Sequence, residues 1–214
     1  MKLYGYYRSS AAYRVRIALN LKGLEYEYAA VNLAKDEAGG DEYRRINPQA
    51  IVPALEDDGA IIPQSMAICE YLEERFPTPA ILPRDPVGRA RVRAIALNIA
   101  CEIHPLANRR TQLYLGEQLK LGENEIGQWC RHWIGLSFAA IEEMLKSSSA
   151  TGRFCHGQAP TMADIFLVPQ VFNAARVKLD LAPYPVIRRI NQECLTLEAF
   201  AAAHPARQPD AVKG

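Results

Sequence analysis

The sequence predicts an α/β unit in the order β-α-β-α-β-β-α, followed by an all-helical region. Strand-like aromatic and aliphatic runs are concentrated in the first part of the chain. An Asp58-Gly59 pair between two of them signals a tight hairpin. Beyond the prolines Pro79, Pro83 and Pro86 strand signals vanish and apolar residues recur at helical spacing.

Each element follows in order. Lys2 to Tyr7 is aromatic-rich and reads as a strand, and a helix from about Ser10 carries Val15, Ile17, Ala18, Leu19 and Leu21 before the stop Lys22-Gly23. Tyr26 to Leu33 is a second strand, and Asp36 to Ile46 is weakly helical until Asn47-Pro48 breaks it. The stretch from Val52 to Ile62 reads as the hairpin. Ala67, Ile68, Tyr71 and Leu72 then lie on one face of a helix that starts near Ser65 and ends near Phe76-Pro77. Thr78 to Val87 is the linker, which gives expected domains of 1–80 and 87–214.

In the second region Val92, Ile95, Ala96, Ile99, Ile103 and Leu106 mark one long helix face, bent at Pro105. Another helix runs from about Glu123 to Leu145. Thr161-Met162-Ala163-Asp164 has the form of a capping box, with Pro160 and Ile165 as its hydrophobic staple, so a further helix should start there and reach about Arg176. That assigns Thr161 and Asp164 a structural role.

Of the 214 residues 49% are hydrophobic and 23% charged, which suits a globular chain with a sizeable core. Lys and Arg number 25 against 24 Asp and Glu, a net charge of +1 that offers no global field to nucleic acid or an anionic membrane. Any cationic site must be local. Five cysteines, Cys69, Cys101, Cys130, Cys155 and Cys194, form no metal-ligand spacing with the four histidines, and an odd, scattered set fits a reducing cytoplasm. There is neither a signal-like apolar core at the start nor an uninterrupted run of about 18 apolar residues.

Ser9 and Ser10 sit where the first strand gives way to the first helix. A helix start leaves backbone N–H groups unpaired at the positive end of the dipole, so it welcomes an anion, although a serine there also serves as an ordinary N-cap. Ser65 stands at a second such start.

The segments RSSxxxRVRIAL, NPQxxVPAL, QSxAIxEYLEE, IHPLxN, PTMAD and VxLDLxPYPxI, in this order from about Lys2 to Pro209, resemble the zeta class of glutathione transferases, the maleylacetoacetate and maleylpyruvate isomerases. The resemblance implies a thioredoxin-like α/β N-terminal domain, an all-α C-terminal domain, glutathione as cofactor and a homodimer. It makes Ser9 the residue that hydrogen-bonds the glutathione sulfur, with Ser10 beside it as the second catalytic candidate. Ala11 departs from the family, which often has Cys there. Val52 matches the residue that holds the glutathione backbone, ahead of a cis Pro53. Gln64 and Ser65 match the pair that binds the γ-glutamyl carboxylate, and Gln49 a further contact. His104, Asn108, Arg109 and Arg110 match glutathione contacts, and Arg8 and Arg176 substrate contacts. Taken alone, Gln49 reads equally as polar surface, the Arg109-Arg110 pair as a solvated helix surface, and His104 as a packed or exposed histidine.

The implied reaction is cis-trans isomerisation of a small dicarboxylate. A thiolate that adds to a cis double bond leaves a single bond free to rotate, and its expulsion yields the trans alkene. A free thiol of pKa near 8.5 is mostly protonated at neutral pH, so the site must favour the charged form. Two carboxylates and a transient enolate need several cations, for which arginine's bidentate geometry is suited. On a straight helix Asn108 to Arg110 would fan over about 200°, so a bend or a neighbouring subunit must recruit them. The readings that compete with maleylacetoacetate isomerisation are maleylpyruvate isomerisation, general glutathione conjugation and non-catalytic glutathione binding.

Overall fold

The computed structural model describes residues 1–212. The chain forms two compact units, one of Met1–Ile81 with the segment from Leu195 onward, the other of Leu82–Cys194.

In the first unit β1 (Lys2–Gly5), β2 (Glu27–Ala30), β3 (Ala54–Asp57) and β4 (Ala60–Pro63) form one sheet in the order β2-β1-β3-β4. β1 runs parallel to β2, with Leu3 opposite Tyr28, and antiparallel to β3, with Leu3 opposite Leu55. The β3–β4 hairpin turns through Asp58 and Gly59 at φ 47° and 80°, the two positive angles a two-residue turn demands. β2 is shorter than the sequence suggests because Asn32 intervenes. Its side chain accepts from the N–H groups of Ala34 and Lys35 and diverts the backbone into a 3₁₀ turn.

Helix α1 (Ser10–Leu21) is buried from Ser10 to Leu19, around its whole circumference, since α3 (Ser65–Arg75) and α10 (Glu198–Ala203) both pack on it. Tyr13 Oη and Asn20 Nδ2 donate to the carbonyls of Phe200 and Ala199. α10 thus belongs to the core of the first unit. After α1, Gly23 at φ 65° ends the helix, and the buried Lys22 ammonium bonds Glu73 at 2.8 Å and the carbonyls of Phe76 and Pro79. The short α2 (Asp41–Ile46) lays Tyr43 against Ala38, Val31 and Val52.

The second unit is helical: α4 (Pro86–Leu97), α5 (His104–Ala107), α6 (Arg109–Glu117), α7 (Glu123–Lys146), α8 (Met162–Arg176) and α9 (Pro185–Leu195). α8 is buried without a break from Met162 to Val171 and packs against α4. Its capping box forms as the sequence predicts, with Asp164 Oδ2 accepting from the Thr161 N–H at 2.7 Å and hydroxyl at 2.9 Å.

The single long helix bent at Pro105 is not what forms. Residues 98–103 widen into a π turn, Pro105 sits in the first turn of α5, where its missing N–H is least costly, and the chain breaks at Asn108. Asn108 is extended, at ψ 168°, and its side chain caps α6 through the Thr111 N–H at 3.0 Å.

Candidate active site

The sheet register gathers the candidates of the first unit at one edge. Tyr4 pairs with Ala54, and Ala54 with Pro63, so the exit of β1 toward Ser9, the Val52–Pro53 entry into β3 and the Gln64–Ser65 exit of β4 all leave the same end of the sheet. Two helices begin there, α1 after Ser9 and α3 after Gln64. Their dipoles bring two positive ends to that edge.

Ser9 is the N-cap of α1, and its Oγ accepts from the Ala12 N–H at 3.2 Å. A hydroxyl has one proton and two lone pairs, so an oxygen that accepts from the helix keeps its O–H to donate outward. Capping and anion binding are therefore compatible at one atom. Ser9 is half-buried, whereas Ser10, inside the helix, is only 5% exposed, and Ala11 is buried behind it. Arg8 is exposed.

The Val52–Pro53 bond is cis, as the family resemblance implies, and Val52 is buried. Its loop is fixed by the buried Asn47, whose Nδ2 donates to the Ile51 carbonyl at 2.7 Å while its Oδ1 accepts from the Gln49 N–H. Gln64 holds φ 70° and ψ 118°, a conformation rare outside glycine and frequent at ligand clamps. Its side-chain amide donates to Gln49 Oε1 at 2.9 Å, which joins two predicted contacts. Ser65 is buried at the first turn of α3.

Behind Ser65 stands a group that the sequence analysis does not single out. Arg14 is 1% exposed, and its Nη1 donates to Ser65 Oγ at 3.2 Å. A buried guanidinium adds a full charge to the half charge of the helix end. Its place among the apolar positions of α1 is the one hint the sequence carries, and without the covering helix α3 it reads as a solvated arginine.

No buried cysteine offers a competing thiolate. Burial pushes Cys69 up to about 12 and raises Cys130, Cys155 and Cys194 as well. A reactive thiolate at this edge has to come from a ligand.

In the second unit His104 opens α5, half-buried, and Asn108 spends its side-chain oxygen on capping α6. Arg109 and Arg110 are exposed in the first turn of α6, and Arg176 is exposed at the end of α8, with Nη1 3.5 Å from Asn173 Oδ1. Trp129 donates to the Leu106 carbonyl and Arg131 to that of Val177. Two residues apart on α7, they point about 200° away from each other. These two bonds tie the ends of α5 and α8 to α7.

The profile of the glutathione S-transferase N-terminal domain matches residues 3–80. A maleylpyruvate isomerase of Ralstonia is 49% identical over 98% of this chain and 99% of its own. The holo structure of a maleylpyruvate isomerase, described as a bacterial zeta-class glutathione S-transferase, has TM-score 0.98 and 48% identity over 99% of this chain and 100% of that one. The maleylacetoacetate isomerase of Methylobacterium extorquens AM1, solved with malonate and glutathione bound, has TM-score 0.96 and 41% identity, each chain covering the other completely.

Proposed function

The chain belongs to the glutathione transferase family, among its zeta-class isomerases, and from that premise we propose that it converts maleylacetoacetate to fumarylacetoacetate in the breakdown of aromatic amino acids. The observation that carries this is the pairing of a capping Ser9, whose proton stays available, with a second helix start backed by the buried Arg14. Both suit glutathione, which presents a thiol and a carboxylate to be held as anions. Bound glutathione supplies the nucleophilic thiolate for reversible addition to the cis double bond.

The chain's own residues do the rest. Ser9 donates to the sulfur and lowers the cost of its charge, with Ser10 beside it as the second catalytic hydroxyl. Ser65 with the α3 amides takes the γ-glutamyl carboxylate, Gln64 and Gln49 fix its neighbours, and the Val52 backbone aligns the peptide. His104, Asn108, Arg109 and Arg110 contribute to glutathione, and Arg8 and Arg176 to the substrate carboxylates. The enzyme works as a cytoplasmic homodimer with domains of 1–80 and 87–214, the last stretch of the second, from Leu195, packing with the first. Among the described residues no helix is long and apolar enough to cross a membrane.

The alternative substrate is maleylpyruvate, favoured by the relative from Ralstonia. Both substrates carry the same end carboxylates and the same cis-enoyl ketone. Each is to be assayed with and without glutathione. Glutathione-dependent turnover with the higher kcat/KM on maleylacetoacetate is expected, a preference for maleylpyruvate selects the alternative, and turnover of neither removes the isomerase reading.

A further inference from the structure

The turn that presents Ser9 is held from the far end of the chain. Tyr7, two residues before Ser9, has both backbone polar groups engaged by distant side chains. Its N–H donates to Asp210 Oδ2 at 2.9 Å, and its carbonyl accepts from Arg16 Nη2 at 3.1 Å. Arg16 is fully buried, and its Nε donates to the Ala203 carbonyl at 3.0 Å. The tail is folded back on itself, with Gln208 Nε2 donating to the carbonyls of Ala202 and His204. Tyr28 of β2 completes the arrangement, its hydroxyl 3.4 Å from the same Asp210 oxygen. Its ring lies where a side chain at residue 5 would stand, since a Cβ on Gly5 would meet it at 3.0 Å.

We propose that Asp210 is a positioning residue for the reaction: with Arg16 it clamps the Tyr7 peptide and so sets where the Ser9 hydroxyl points. The inference rests on Ser9 being the thiol-binding group. The turn at Tyr6–Ser9 lies outside the sheet and the helix; the Ser9 N–H donates to the Tyr6 carbonyl at 2.9 Å, and the Ser9 carbonyl accepts from the Tyr13 N–H at 2.9 Å as α1 begins. Fixing the Tyr7 peptide from both sides removes its rotation, and a misplacement of about 1 Å at a catalytic group can cost about 10²-fold in rate. Burial disfavours the charged form of the Arg16 guanidinium, and the groups that favour it are Tyr28, Tyr26 and Tyr13 before Asp210.

Geometry and charge predict opposite signs, which makes the test decisive. Removing a negative charge near the site would by itself lower the pKa of the bound glutathione thiol, whereas loosening Ser9 raises it. The ultraviolet absorbance of the glutathione thiolate, titrated against pH on the holoenzyme, reads that pKa. Asp210→Ala is expected to raise it by about one unit and to lower kcat about tenfold with KM for glutathione little changed, whereas Asp210→Asn, which loses the charge but keeps an amide oxygen to accept from Tyr7, should not raise it. Amide hydrogen exchange of the free enzyme should quicken at Tyr7 to Ser9. Arg207→Ala, which removes an exposed tail ion pair with Glu198, should change none of these. In a Ser9→Ala background Asp210→Ala should add little. An unchanged or lowered thiol pKa in Asp210→Ala, with Ser9→Ala still raising it, overturns the clamp alone. An unchanged pKa in Ser9→Ala removes the role of Ser9 and the clamp with it. Should Asp210→Ala fail to fold, Asp210→Ser, which loses the charge and is too short to reach the Tyr7 N–H, decides by the same sign.

Discussion

At Ser9 a structural and a chemical demand can meet in one side chain. The lone pair that accepts from Ala12 leaves the hydroxyl its proton, so the two readings of a serine at a helix start do not compete. Ser9→Ala is expected to lower turnover about 10²-fold while the fold persists, as measured by steady-state kinetics beside circular dichroism. Near-normal turnover would move the role to Ser10 or the backbone. Arg14 supplies the complementary case, a buried cation bonded to Ser65. Arg14→Met should raise KM for glutathione about tenfold, the loss of one charge-assisted anion contact, with a smaller change in kcat. The sequence made Ser9, Gln64 and Ser65 legible through their place before apolar runs. It hid Arg14, because an arginine within a helix reads as solvated until a second helix is known to cover it.

At the scale of elements, patterns that depend on neighbours in sequence were read well. The Asp58-Gly59 hairpin, the helix stop at Gly23 and the capping box at Thr161 are each decided within a few residues, and each forms. Asp164 is fully buried and accepts from Thr161 and from the Cys155 N–H at 2.8 Å, so it ties the loop before α8 to the start of that helix. Asp164→Ala strands those donors and should cost about 3 kcal/mol in urea unfolding. A cost below about 1 kcal/mol would show that water replaces the carboxylate. The region from Val92 to Leu106 was harder to read. Its apolar spacing is helical throughout, and periodicity does not register a π turn at 98–103 or a break at Asn108, where an extended backbone and a side-chain cap take over. Those features separate His104 from Arg109 and Arg110, which a straight helix would have kept on one rod.

In the whole molecule, residues distant in sequence converge where no local pattern points. The segment from Leu195 onward joins the first unit, lays α10 on α1 and brings His204 edge-on to Tyr13. His204 accepts the Ala206 N–H at Nδ1, a bond that requires the neutral ring, and burial followed by the charges of Arg16 and Arg207 lowers its pKa below 6.5. The unfolded chain then binds more protons than the folded one between that lowered value and 6.5. Stability contributed by the neutral ring is complete above 6.5 and is lost as pH falls through the window. Chemical denaturation between pH 7 and 5 should show this loss, and His204→Gln should flatten it; equal slopes in both proteins would assign the loss elsewhere. The amino-acid sequence by itself determined the order of elements, their caps and turns, and the family, because periodicity, capping and motif spacing are properties of neighbouring residues. Tertiary structure alone decided that Arg14 stands behind Ser65 and that Asp210 reaches Tyr7. Those contacts span 51 and 203 positions, and only the packing of α3 and the returning tail around α1 closes such distances.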